Sequence, residues 1–370
     1  MKLLDPLTFD APDPPAPADP IGQLRLRFKG DPDGDPDHPM LNLSACAIAG
    51  RALFVAGDEC HSVERLVIGD EGEADDQRRF ELRDYLDLYR GGEEMDIEGL
   101  AIADDWLWIT GSHSRTRPDP VHDAEEDGRI DIAELGDLKD TRARCVLARI
   151  PLKPDLDGHL KPVRNDGDRR AGLIRQSGDD GSKLRRLLCE NPLLGPACSM
   201  AAKEGGLDIE GIAAFGEDRV ALGLRGPVIQ TYAVLVEPAF KFKKSGRLHL
   251  RAPLRVRLVK LDGLGIRDLA TRRRDLYLLA GPVGDLDGRC VLYRWEGWAD
   301  CPPEHDEKLR VHEPERLFDI PVKVAADHPE GIDWLGDPAD GRLLVLYDSP
   351  NPERLDRAAA AIIGDVFAVD

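Results

Sequence analysis

Apolar residues in this chain come in short runs. From about residue 40 the stretches RALFVAGDE, DWLWITGS, RCVLARIPL, DRVALGLRG, LRVRLVKL, RDLYLLAG, RCVLYRWEG, RLLVLYDS and DVFAV follow one another, each closed by Gly, Asp or Pro. They are rich in Val, Leu, Ile and aromatic residues and have the length of single strands. Helical signals are few, and the clearest is SKLRRLLCENPLLGPACSMAAKE, Ser182–Glu204. There Ser182 is placed to cap a helix, and Pro192 and Pro196 divide it into short pieces. The first 20 residues, rich in Pro and Asp, predict a disordered segment. GDPDGDPDHP, Gly30–Pro39, predicts an acidic, turn-rich loop.

The runs repeat as pairs. DIEGLAIADDWLWITGS and DIEGIAAFGEDRVALGLRG are two copies of one form: a short apolar strand, a polar turn, and a stronger apolar strand. Aligned on the Glu of DIEG, five copies place Ser44, Glu98, Glu210, Arg267 and Glu330 at one position, separated by 54, 112, 57 and 63 residues. The wide gap holds either a missing copy or one copy with insertions. A period of about 50–60 residues, four short strands long, predicts an all-β fold, a β-propeller. Five blades are expected, or six if the gap hides a copy. The insertions are placed at about 116–142 and 155–204, the second carrying the helical piece. Residues 21–370 form the propeller domain, closed by pairing DVFAV with LRLRF at Leu24–Phe28, which removes an exposed sheet edge.

In a propeller the first strand of each blade lines the axis, and Gly99, Gly211 and Gly331 permit close packing there. Glu98, Glu210 and Glu330 then face one axis. Like charges at that spacing need a cation, a proton or an arginine. Two readings stay open: a divalent-metal site, with Ca2+ the first expectation, and an internal network using Arg267. Strand ends near the mouth add Asp58, Glu59 and Asp348 as weaker metal ligands and Ser112 beside His113; His113, as a general base, Arg225 and Arg267 are the catalytic candidates. Lys203 and Glu204 are read as an ion pair holding the helical piece, or as part of the pocket. DAEEDGRIDIAE, Asp123–Glu134, matches a calcium loop at Asp123, Asp127, Asp131 and Glu134, but Glu125 stands where Asp or Asn is usual. An acidic surface insertion is the competing reading.

Composition narrows the partners. The formal net charge of −20 disfavours nucleic acid and anionic membranes. No stretch is long and apolar enough for a membrane span, and MKLLDPLTFDAPDPPAPADP lacks the apolar run of a signal peptide, so a cytoplasmic location is expected. The seven Cys are scattered, with no CxxC, which predicts reduced thiols. No Walker loop, G-x-G-x-x-G after a strand, or G-x-S-x-G occurs, so no nucleotide cofactor is expected.

KEGGLDIEGIAAFGEDRVALGLRGP at Lys203–Pro227, with LRRLLCENPLLGP, EMDIEGLA and HPEGIDWL, resembles a bacterial family of unknown function with repeated DIEG motifs. The resemblance covers most of the chain from about residue 40 and implies a propeller-like fold with no established activity. More loosely, the D-x-EG strand is similar to that of phytase-like, esterase-like and gluconolactonase-type propellers. That resemblance implies a divalent metal held by Glu98, Glu210 and Glu330, with Ser44 and Arg267 departing from the pattern. The expected function is a metal-dependent hydrolase of a small phosphate ester, ester or lactone. The alternative is a non-catalytic propeller that binds a protein partner or small ligand at its rim.

Overall fold

A computed structural model describes residues 17–35, 38–57, 60–89, 94–119, 129–139, 141–176, 181–243, 246–284, 287–302, 308–323 and 326–370. Its strands pair into antiparallel four-strand meanders. Unit I is Leu43–Ala49, Ala52–Gly57, Ser62–Ile68 and Glu73–Glu81. Unit II is Ile97–Ala103, Trp106–Gly111, Leu147–Pro154 and Gly172–Leu173. Unit III is Asp208–Phe215, Arg219–Ile229, Tyr232–Phe242 and Leu248–Lys260. Unit IV is Gly265–Arg272, Asp275–Gly281, Cys290–Trp295 and Glu315–Ile320. Unit V is His328–Trp334, Arg342–Asp348, Ala361–Ala368 and, as its outer strand, Gly22–Arg27. The chain's first described strand thus pairs antiparallel with its last, Leu24 opposite Gly364.

The inner strand of each unit packs on that of the next, and unit V returns to unit I. The buried apolar residues fall into clusters that fill the spaces between neighbouring units. Phe54 and Val63 meet Leu107 and Ile150 between units I and II; Trp108 meets Val234 and Phe240 between II and III; Leu24 and Leu26 meet Leu53 between V and I. Each sheet is therefore covered on both faces. Strands such as Trp106–Gly111 are buried along their whole length, which is why they read as unbroken apolar runs rather than as alternating ones. The propeller-like all-β fold predicted by the repeat is the observed one.

The aligned position of the repeat has a structural meaning. In every inner strand the pairing skips one residue: Ser44, Glu98, Glu210, Arg267 and Glu330. Each is the extra residue of a β-bulge, which frees its side chain from the ladder and re-aims it. Three of these bulges are followed by glycine. A Cβ on Gly99 would lie 2.8 Å from Ile212 of unit III, and one on Gly211 would lie 2.9 Å from the Cα of Asp268 in unit IV. Glycine is the residue that lets adjacent inner strands approach so closely.

Two expectations are corrected. Gly172–Leu173, inside the stretch expected as an insertion at 155–204, is the outer strand of unit II. Cys189 and Cys198, expected as reduced thiols, are disulfide-bonded with their Cα atoms 5.6 Å apart. The cause is local: the helix Lys183–Glu190, capped by Ser182 as expected, is followed by a 3-10 turn at Gly195–Ser199 that doubles back on it. Of the two readings left open for Lys203 and Glu204, the pocket one describes Lys203, which lines the axial cavity, while Glu204 is bonded by Arg117 (Arg117 Nη2 to Glu204 Oε2, 3.2 Å).

Candidate functional site

The bulges of units II to V meet at one mouth of the axis, in a cavity of about 720 Å3. Glu98, Glu210, Arg267 and Glu330 all line it. Ser44 does not: its hydroxyl donates to the carbonyl of Ile97 and ties unit I to unit II.

Order around the axis decides the electrostatics. Unit IV lies between units III and V, so Arg267 lies between Glu210 and Glu330. Its Nε is 3.0 Å from Glu210 Oε2, and its Nη2 is paired with Glu330. Glu210 also accepts a 2.8 Å hydrogen bond from Arg225 Nη1, whose other terminal nitrogen donates to Gly284 O at 3.2 Å. These groups are removed from water: Glu210 is 3% exposed, Arg267 6% and Glu330 9%. A guanidinium between two carboxylates gives each buried acid a charge-assisted partner. The place that a divalent ion shared by Glu210 and Glu330 would need is taken by Arg267. Among the described residues no group of three or more His, Cys, Asp or Glu is gathered to hold a metal. The site as built seats a guanidinium between the two carboxylates.

Two further acids share the cavity. Asp96 and Asp208 begin the two DIEG copies and line the same cavity. Arg144 Nη1 donates to Asp96 at 2.9 Å, and Arg225 Nη1 is 4.0 Å from Asp208. Burial, then the charge of Glu210, raises the Asp208 carboxyl well above the ordinary carboxylate range, with Arg225 opposing. Burial likewise raises Asp96, against Arg144 and a hydrogen bond from Ser112. Burial disfavours charge on Arg144, but Asp96, Glu94, Glu98 and Asp208 outweigh it and hold the guanidinium above its usual range. The cavity therefore brings together arginine-paired carboxylates and a carboxyl that favours its proton, an arrangement suited to donating and accepting hydrogen bonds at once.

The other predicted residues are distributed as follows. Asp348 lines the cavity, 3.9 Å from His328 Nδ1. His113 is fully buried and outside the lining; its Nδ1 bonds Gly111 O at 3.0 Å, and burial lowers its pKa to about 4. A general-base role is not served by that position. Ser112 is buried beside Ser114, hydroxyl to hydroxyl at 2.8 Å. Asp131 caps the short helix Ile132–Gly136 by accepting from Ala133 N, and Glu134 lies in that helix's first turn. Asp58, Glu59, Asp123 and Asp127 lie outside the described residues. Lys203 lines the cavity. The sequence reading passed over Asp96, Asp208 and Arg144. The two aspartates had a signal, since they open both DIEG copies; Arg144 precedes a third strand and has no counterpart in the repeat.

Fold and site together define a class: an all-β, propeller-like protein whose axial mouth holds carboxylates braced by arginines. The chain belongs to the family described as "Protein of unknown function (DUF3616)", whose sequence profile matches residues 42–365. No curated protein matches the chain. Among solved structures it is similar to the glutaminyl cyclase of Myxococcus xanthus, at 10% identity, covering 97% of this chain and 100% of that one with a TM-score of 0.40. It is also similar to the PQQ-bound aldose sugar dehydrogenase of Streptomyces coelicolor, at 12% identity, covering 96% and 100% with a TM-score of 0.35. Both are propeller-like. At these values neither protein's chemistry transfers to this chain.

Proposed function

We propose that the axial cavity binds a small polar molecule that presents hydrogen-bond donors, hydroxyls or an amine, and does so without a metal. The carrying observation is a cavity lined by nine acidic and six basic side chains, whose innermost carboxylates are already held by Arg225 and Arg267. Acceptors fixed in this way need no rearrangement when a ligand arrives, which favours affinity. The volume is that of a small-ligand site, and the acid excess favours donors over anions.

The test is a thermal-shift panel of neutral sugars, amines and carboxylates, with hits measured by calorimetry on wild type and Glu98→Gln. Glu98 is only partly buried, so the variant keeps its fold. Binding of a hydroxyl- or amine-bearing compound that weakens in the variant supports the reading. Carboxylates binding best, or indifference to the substitution, overturns it. Calcium titrated into chelator-treated protein should give no saturable heat. Tight binding abolished by Glu210→Gln would restore the metal-dependent hydrolase.

One observation supports a second reading, acid-assisted hydrolysis of a small ester or lactone without a metal. Asp208 is a buried carboxyl that favours its proton, in the same cavity as Glu210, which is paired with Arg225 and Arg267. Turnover that vanishes in Asp208→Asn while ligand binding persists is its signature. On location, no helix among the described residues is long and apolar enough to cross a membrane. The Cys189–Cys198 disulfide weighs against the cytoplasm, where thiols are kept reduced; fractionation decides.

A further inference from the structure

The flank of units I to III holds a second cavity, of about 800 Å3, remote in character from the first. Its walls are the connection after unit I (Tyr85–Tyr89), the outer edge of unit II (Arg164–Gln176), and Arg247 from the turn before the last strand of unit III. A hollow of about 310 Å3 continues from it through Arg175 and Arg247 and adds Lys183 and Arg186.

Charge is inverted here. In a chain of net charge −20, the larger cavity is lined by four arginines and one acid, Asp87, which is paired with Arg164 at 2.9 Å. Arg170, Arg175 and Arg247 are exposed and have no ion-pair partner among the described residues. Nearby His249 senses the same field: burial, then Lys243, Arg247, Lys183 and Lys241, lower its pKa. Uncompensated guanidiniums gathered round one hollow repel one another, and an anion placed among them relieves that repulsion.

The walls are also fixed. A Cβ on Gly172 would lie 2.0 Å from Gly246 O, so the edge strand of unit II is locked against the turn that carries Arg247. Buried Gln176 accepts from Tyr89 N at 3.0 Å and donates to Ala143 O at 3.1 Å, which holds the tyrosine wall in place. Burial and Asp84 raise the Tyr85 pKa, so its hydroxyl remains a donor. Guanidinium forks match phosphate oxygens, and phenol donors and ring faces complete a site for a phosphorylated molecule.

We propose that this flank cavity binds a phosphorylated small molecule, its phosphates held by Arg170, Arg175 and Arg247 and its body lying against Tyr85 and Tyr89. The site is independent of the axial cavity.

The experiment uses the full chain and inorganic tripolyphosphate, by calorimetry at low and moderate salt. Wild type is compared with Arg175→Gln/Arg247→Gln, with a remote control of equal charge change, Arg51→Gln/Arg273→Gln, and with Glu210→Gln. The expected result is one site per chain, weakened by salt, about tenfold weaker for each flank arginine removed, and unchanged in the control and in Glu210→Gln. Citrate in parallel separates phosphate from carboxylate recognition. Absence of tripolyphosphate binding, citrate binding more tightly, or an equal loss in the remote control overturns the proposal. The substituted arginines are exposed, so circular dichroism should show both double variants folded.

Discussion

Replacing Arg267 with Met removes the cation between Glu210 and Glu330 while keeping most of the side chain's apolar length. Glu210 retains Arg225 at 2.8 Å. Glu330, 9% exposed, loses its buried guanidinium partner. Breaking a buried ion pair by deleting one member costs about 3–5 kcal/mol, because the remaining charge is left desolvated. For 370 residues the unfolding entropy is about 0.8 kcal/mol per degree, so Tm should fall by about 4–6 °C. Urea unfolding at pH 7.5 and pH 5.5 measures the effect, and the loss should be smaller at the lower pH, where protonation can relieve the one orphaned carboxylate, Glu330. A cycle with Glu330→Gln isolates the pair: the double variant should be less destabilised than the sum of the singles by about 1–3 kcal/mol. Additive singles, or an Arg267→Met protein as stable as wild type, would refute the reasoning that this arginine is what permits two buried glutamates at the axis.

Further outcomes follow from the same geometry. Gly211→Ala puts a methyl 2.9 Å from the Cα of Asp268, backbone that cannot move aside, and should cost about 1–3 kcal/mol, read as a lower urea midpoint; the same change at Gly22, a strand glycine with nothing within 4 Å, is the uncrowded control. Burial raises the Asp333 pKa to about 7. Its proton is held by the folded chain and lost by the unfolded one between about pH 4 and 7, so its contribution is full below about pH 4 and is lost as pH rises to about 7, by at most about 4 kcal/mol. The stability difference between wild type and Asp333→Asn should therefore change with pH across that window, and a pH-independent difference contradicts the assignment.

Much of the fold was legible because its signals are local. A strand, a turn and a second strand are written within about twenty residues, and five such copies aligned on one position without any knowledge of contacts. That position proved to be the bulge of every inner strand. The mark was readable because a bulge followed by glycine leaves a short motif, DIEG at Glu98 and Glu210 and PEG at Glu330. The outer strand of unit II was not legible: Gly172–Leu173 is two residues long and carries no apolar run. The disulfide was not legible either, since cysteines nine residues apart meet only if the chain between them turns back.

The sequence by itself determined which side chains stand at equivalent places around the axis, because the repeat carries that information in its own period. Only the tertiary structure decided what those side chains do to one another. The ring order sets Arg267 of unit IV between the glutamates of units III and V, 57 and 63 residues away along the chain. It brings Arg144 and Arg225 to the two aspartates, and it gathers three arginines at the edges of units II and III. Coulomb interactions depend on distance in space, and that distance exists only once the ring has closed.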